Sequence, residues 1–145
     1  MKLNRVRERL LPLSPAVQSG EREYTTNDFE SMSRNVLGKG AFAQVWPVRN
    51  KETKERYAVK LIKKATINKS GILSAIKRET QVMYQLKDEN IIRLHDHFED
   101  DHKVYLLLEY ASKGTLYDLI SREGKLTPLN AAKYLRELIA ALRCL

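Results

Sequence analysis

The chain has 145 residues, 26 Lys and Arg against 18 Asp and Glu, a formal charge of +8 and one cysteine. At 43% hydrophobic and 30% charged, it has neither the composition of a disordered chain nor an apolar run near the roughly 18 residues that a membrane span takes. The single Cys144 excludes an internal disulfide and a cysteine-built zinc site, and suits a reducing compartment.

The basic start, Lys2 to Arg9, is followed only by Leu10, Leu11, Pro12 and Leu13, an apolar run too short for a signal peptide. Residues 1–28 hold Pro12, Pro15, Gly20 and charges of both signs. They read as a flexible arm, with at most a helical turn over Val6 to Leu11. Residues 32–38 form a weak strand that ends at a glycine. Gly38-Lys39-Gly40 turns the chain, and Ala43 to Val48 returns as a second strand. Pro47 cannot donate to a ladder, which places it at an edge or a bulge.

Asn50 to Lys54 is a polar turn. Arg56 to Lys63, rich in aromatic and β-branched residues, is a third strand. Apolar residues at 72, 76, 83 and 86 predict a helix over Ile72 to Lys87. Ile91 to Leu94 and Val104 to Leu108 are two further strands, joined by the acidic turn Glu99-Asp100-Asp101. Ser112-Lys113-Gly114 breaks the chain. Thr115 to Arg122 is a short helix, and Thr127-Pro128 opens a longer one with a cap and a proline at its first position. The layout is α+β, with an antiparallel five-stranded sheet and one helix, followed by two more helices.

The positive excess is scattered and interleaved with acids, as in Arg49-Asn50-Lys51-Glu52-Thr53-Lys54-Glu55-Arg56. Mixed charge of this kind marks a solvated surface and argues against a nucleic-acid binder. An anionic nucleotide or phosphate ligand accounts for part of the excess more cheaply.

Two charges stand on apolar faces. Strand alternation puts Lys60 on one face with Ala58 and Ile62, opposite Tyr57, Val59 and Leu61. An edge lysine covering apolar surface with its stem is one reading. The helical stripe 72, 76, 79, 83, 86 places Glu79 among apolar residues, where a rim position is the bland alternative. A buried Lys60–Glu79 ion pair satisfies both charges at once. Such a pair adds little stability in itself, which suggests that the lysine is held for a ligand. Gly38 and Gly40, lacking Cβ atoms, let backbone amides approach a bulky anion. An ordinary tight hairpin explains the glycines equally well until Lys60 on the next strand is considered.

Gly38-Lys39-Gly40-Ala41-Phe42-Ala43-Gln44-Val45, Tyr57-Ala58-Val59-Lys60 and Arg78-Glu79 together resemble the N-lobe of a eukaryotic protein kinase. Leu106-Leu107-Leu108-Glu109-Tyr110-Ala111 is similar to that family's fifth strand and hinge. The resemblance runs from Phe29 to Leu145. Within the family, Asn90 to Leu94 and Leu108-Glu109-Tyr110-Ala111 look Aurora-like. Gly40-Ala41-Phe42-Ala43 and Phe98-Glu99-Asp100 look polo-like, Ala43 standing where the general loop has its third glycine.

After the arm over 1–28, the resemblance implies an N-lobe with glycine-rich loop and hinge over 29–111 and the first C-lobe helices over 112–145. It implies ATP as ligand. Gly38, Lys39, Gly40, Ala41, Phe42 and Ala43 would cover its phosphates, and Lys60, positioned by Glu79, would hold the α- and β-phosphates. Leu37, Val45 and Ala58 would sandwich the adenine, with Leu108 as gatekeeper. The Glu109 carbonyl and the Ala111 amide would bond its edge, and Met83 and Leu94 would belong to the regulatory spine.

The family's His-Arg-Asp loop, its metal-binding Asn and its Asp-Phe-Gly motif do not occur in these 145 residues. His95, His97 and His102 lie around the acidic turn and read as surface residues, not metal ligands. The resemblance therefore implies part of a serine/threonine kinase. The complete protein would transfer phosphoryl groups from ATP, with Mg²⁺, to protein substrates inside the cell, cytoplasmic or nuclear, with a spindle or centrosome address by family analogy and a regulatory protein partner. The 145 residues alone would carry no catalytic residue, no metal site and no activity. The alternative is a non-catalytic nucleotide-binding or kinase-interacting module. The last helix, with Leu135, Leu138, Ile139, Leu142 and Leu145 on one stripe, is expected to lack a partner for its apolar face.

Overall fold

The computed structural model describes residues 9–145. Its centre is an antiparallel sheet built from β1 (Phe29–Ser31), β2 (Gly38–Lys39), β3 (Ala43–Asn50), β4 (Arg56–Lys63), β5 (Leu94–Glu99) and β6 (Lys103–Glu109), ordered β1-β3-β4-β6-β5 with β2 also on β3. Five helices accompany it: α1 (Pro15–Gln18), α2 (Lys64–Ser70), α3 (Leu73–Gln85), α4 (Leu116–Glu123) and α5 (Pro128–Cys144). The expected α+β class and sheet are thereby found, with the first strand position divided between β1 and β2.

That division has a local cause. Both short strands pair with β3, β1 opposite Val48 to Asn50 and β2 opposite Gln44 and Val45. Between them, the Met32 amide donates to the Pro47 carbonyl at 2.9 Å. A strand residue's N–H and C=O point the same way, so Pro47 should donate back and has no N–H to do it. The ladder opens at that point. Residues 32–37, expected as strand, instead form a loop held by Ser33, whose Oγ accepts the Asn35 amide at 3.0 Å. Pro47 itself lies in an interior strand, neither at an edge nor at a bulge, where one neighbour is interrupted.

Strand alternation distributes the core over both faces. On one, Ile62, Val104, Leu106 and Leu94 pack with Ile67 of α2 and Ile76 of α3. On the other, Val48, Tyr57, Val59, Phe98, Tyr105 and Leu107 form an aromatic-rich cluster. Phe98 stacks on Tyr105 with ring centroids 4.8 Å apart and on Phe29 at 5.9 Å, the offset arrangement that aromatic quadrupoles favour.

Two helices stand where one is expected. α2 ends at Gly71, whose φ of 68° is left-handed, the usual glycine stop. α3 then begins at Leu73. The fifth strand is also displaced: Ile91 to Arg93 are loop, and β5 runs Leu94–Glu99. Its polar residues His95, Asp96, His97 and Glu99 hide the strand from a hydrophobicity reading.

The sharpest difference lies in residues 9–28. Expected as a flexible arm, they include Leu10, Leu11 and Ser14 as buried residues, and Leu10 and Leu11 join the apolar cluster of the sheet and α3, while most of 15–28 is exposed or half-buried. Of the helical turn expected over Val6 to Leu11, residues 6–8 lie outside the described residues, and Leu10 and Leu11 are not helical.

At the other end the expected caps form. Thr115 and Asp118 make a reciprocal capping box on α4, and the Thr127 hydroxyl accepts the Asn130 amide at 3.2 Å ahead of Pro128. The α5 stripe from Leu135 to Leu145 is exposed among the described residues.

Candidate nucleotide site

The glycine turn is closed by one backbone bond, Gly40 N–H to Ala43 C=O at 2.9 Å, with Ala41 and Phe42 at its tip. Gly38 and Gly40 are not among the positive-φ glycines, which are Gly20, Gly71, Gly114 and Gly124. A Cβ at Gly38 would meet nothing within 4 Å, and one at Gly40 only the Ala43 carbonyl at 3.9 Å. Neither backbone conformation nor internal packing demands glycine here. What the two missing side chains leave is uncovered backbone on the loop's surface, open to the close approach of a ligand.

Register aligns the remaining candidates. Val45 pairs with Lys60, and Lys60 with Leu106; Ala58 pairs with Leu108. Directly opposed residues of an antiparallel ladder share a face. Val45, Ala58, Lys60 and Leu108 therefore share one, beside the turn. Ala58 is buried, Val45 and Leu108 are half-buried, and Leu37 and Phe42 are each 50% exposed. Met83 and Leu94 pack in the cluster on this same face.

Lys60 Nζ lies 3.2 Å from Glu79 Oε1, joining β4 to α3. The pair expected from the sequence is thus formed. It is not buried, since the side chains are 29% and 51% exposed. Glu79 sits at the rim of its helical stripe, so neither charge carries a large desolvation cost. Lys60 keeps donors free in geometry to reach a further anion from a partly open position.

At the end of β6, the Glu109 amide donates to the Arg93 carbonyl at 2.9 Å, and the Glu109 carboxylate accepts the Arg93 amide at 3.1 Å. These two hydrogen bonds tie Arg93 to the start of the segment expected as hinge. Ala111, beyond it, is exposed.

Two residues read as unremarkable from sequence prove central. His97, expected at the surface, is 3% exposed. Its Nε2 lies 2.7 Å from the Pro12 carbonyl and its Nδ1 2.7 Å from the Tyr84 hydroxyl. A carbonyl only accepts, so Nε2–H donates to Pro12; in the neutral ring Nδ1 then accepts from the Tyr84 hydroxyl. Burial pushes the Tyr84 hydroxyl well above the usual phenol range. Glu99, expected in an acidic turn, is 7% exposed and ends β5. The available signal was alternation: His97 and Glu99 are two apart, and Leu10-Leu11 is an apolar pair inside a polar arm.

An antiparallel sheet with α2 and α3 packed on one face, an open glycine turn and a strand lysine paired to a helix glutamate are the marks of a protein kinase N-lobe. The family model of the protein kinase domain matches residues 32–145, and the chain belongs to the protein kinase family. Aurora kinase C of Mus musculus is 38% identical over 124 residues, 86% of this chain and 44% of its own length. Aurora kinase B of Xenopus tropicalis is 32% identical over 85% of this chain and 34% of its own length. CBL-interacting protein kinase 11 of Oryza sativa subsp. japonica is 39% identical over 73% of this chain and 21% of its own length. The chain spans less than half the length of each. These matches support the Aurora likeness; the polo-like one gains nothing from them.

Proposed function

We propose that this chain is the ATP-binding portion of a serine/threonine protein kinase. The observation that carries the reading is the pair of glycines at 38 and 40, required by neither conformation nor packing, on the hairpin next to Lys60. Backbone amides of residues 38–43 would cover the phosphates, and Lys60, oriented by Glu79, would hold the α- and β-phosphates. Val45, Ala58 and Leu37 would enclose the adenine, with Leu108 beside it and the Glu109 carbonyl and Ala111 amide at its edge. Among the described residues, no group of three or more His, Cys, Asp or Glu could hold a metal ion.

Phosphoryl transfer to protein Ser or Thr belongs, in this proposal, to a complete protein that supplies the catalytic Asp and the Mg²⁺ ligands. The 145 residues alone would bind nucleotide without transferring phosphate. The second reading is a non-catalytic nucleotide-binding or kinase-interacting module, which would hold nucleotide through the same loop and Lys60. The Aurora resemblance adds an intracellular location and a regulatory protein partner. No described helix is long and apolar enough to cross a membrane.

An ATP acyl phosphate, which acylates a lysine held at the phosphates, tests the site. Peptide mapping should place the label on Lys60, with excess ATP suppressing it. Labelling spread over surface lysines and insensitive to ATP would overturn the reading. Genomic translation downstream of Leu145 separates the two readings of the whole: in-frame His-Arg-Asp and Asp-Phe-Gly motifs support the kinase, and a stop codon supports the module.

A further inference from the structure

The N-terminal segment is bound to the domain as a ligand would be. Leu10 and Leu11 are 8% and 3% exposed and share one apolar cluster with Ile67 of α2, Ile76 of α3 and Leu94 of β5. Their main chain is held as well. The Glu99 carboxylate accepts the Leu10 amide on Oε1 at 2.8 Å and the Leu11 amide on Oε2 at 3.1 Å. Lys64 Nζ lies 3.1 Å from the same Oε1, and the two side chains are 10% and 2% exposed. One residue further, the Pro12 carbonyl accepts a hydrogen bond from His97 Nε2–H at 2.7 Å. At the near end, Arg9 meets Glu23 at 2.9 Å.

A carboxylate this buried persists only when its oxygens are occupied. Two backbone amides and an ammonium, all charge-assisted donors, fill that role. Releasing the segment would strip two of them from Glu99, so docking and the burial of Glu99 are coupled.

The contact has a mechanical consequence for α3. This helix meets the sheet chiefly along β5, and the half-exposed Lys60–Glu79 pair is too weak to hold it alone. The segment adds two attachments. Ile76 is reached through the shared apolar cluster, and Tyr84 through His97. These two residues lie on either side of Glu79 along the helix. We propose that residues 9–14 form an intramolecular strap whose docking on Glu99 and His97 fixes α3 and so sets the reach of Glu79 to Lys60. Glu99 and His97 are then positioning residues for the nucleotide site; only this last step rests on the proposed function.

Amide hydrogen exchange and titration with a fluorescent ATP analogue test this on the full chain, for Glu99→Gln and for the double variant Leu10→Ser, Leu11→Ser. Exchange over 73–85 should rise in both, while β3 and β4 stay protected. Nucleotide affinity should fall roughly three- to tenfold. An acetylated peptide of residues 9–18 should restore both readouts in the leucine variant and neither in Glu99→Gln. Should the double variant fail to fold, Glu99→Gln carries the same comparison. Unchanged exchange over 73–85, or a rise shared equally by β3 and β4, overturns the strap. Absence of nucleotide binding by the unaltered chain sinks the proposed function instead, and the exchange data still decide on the strap.

Discussion

Lys60 Nζ and Glu79 Oε1 stand 3.2 Å apart, yet half of the Glu79 side chain faces solvent. An exposed pair of this kind contributes about 1 kcal/mol at most. Glu79→Gln should therefore move the urea midpoint little, corresponding to less than about 1 kcal/mol, while weakening nucleotide binding several-fold. A large loss of stability would show that the pair is structural and not there to orient the lysine.

The glycines separate in the same way. Gly38→Ala and Gly40→Ala face no internal clash and an ordinary backbone conformation, so stability should change by no more than about 1 kcal/mol, toward stabilisation if anything. The same methyl groups would keep a bulky anion from the loop backbone and reduce nucleotide affinity. Paired denaturation and titration measurements check both statements together.

Gly114 is the opposite case. Its φ is 74°, and an added Cβ would lie 3.1 Å from Asp118 Oδ2, the oxygen that accepts both the Thr115 amide and hydroxyl. Hydrogen bonds from Thr115 hold the Asp118 carboxyl below the usual range. Gly114→Ala strains the backbone and crowds the capping box at once. A loss of about 1–2 kcal/mol is expected, read by chemical denaturation, with helicity lost at α4.

Acid should loosen the segment before β1. The Arg22 guanidinium, 2.8 Å away, and the Thr25 amide hold the Asp28 carboxyl down at about 2. A depressed folded-state pKa contributes stability that is complete above the ordinary value of 3.8 and is lost as pH falls toward 2. Asp28→Asn should thus be less stable than the unaltered chain at pH 6, and the gap should narrow between pH 4 and pH 2. A gap independent of pH would assign the effect to packing.

The sheet and the pairing of Lys60 with Glu79 were legible because period-two alternation and helical spacing place charges on faces that two residue types must share. Glycine and threonine signals likewise located α4 and α5. The strap was not legible. Its recognition is through backbone amides and through polar residues on β5, and neither leaves a hydrophobic period to read. Pro47 misled for a related reason: the rule that proline avoids interior strands holds unless the neighbour opens, as it does at Met32. The exposure of Glu79 fits the rim alternative and not the buried pair; the stripe could not choose between them, because it fixes a face and not its distance from the rim.

The central claim is nucleotide binding through Lys60, and calorimetric titration of the full chain with Mg·ATP tests it most directly. The account predicts saturable binding by the unaltered chain and at least roughly tenfold weaker binding by Lys60→Met, the scale of a lost charge-assisted contact. Equal affinity in both, or no heat of binding in the unaltered chain, would contradict it.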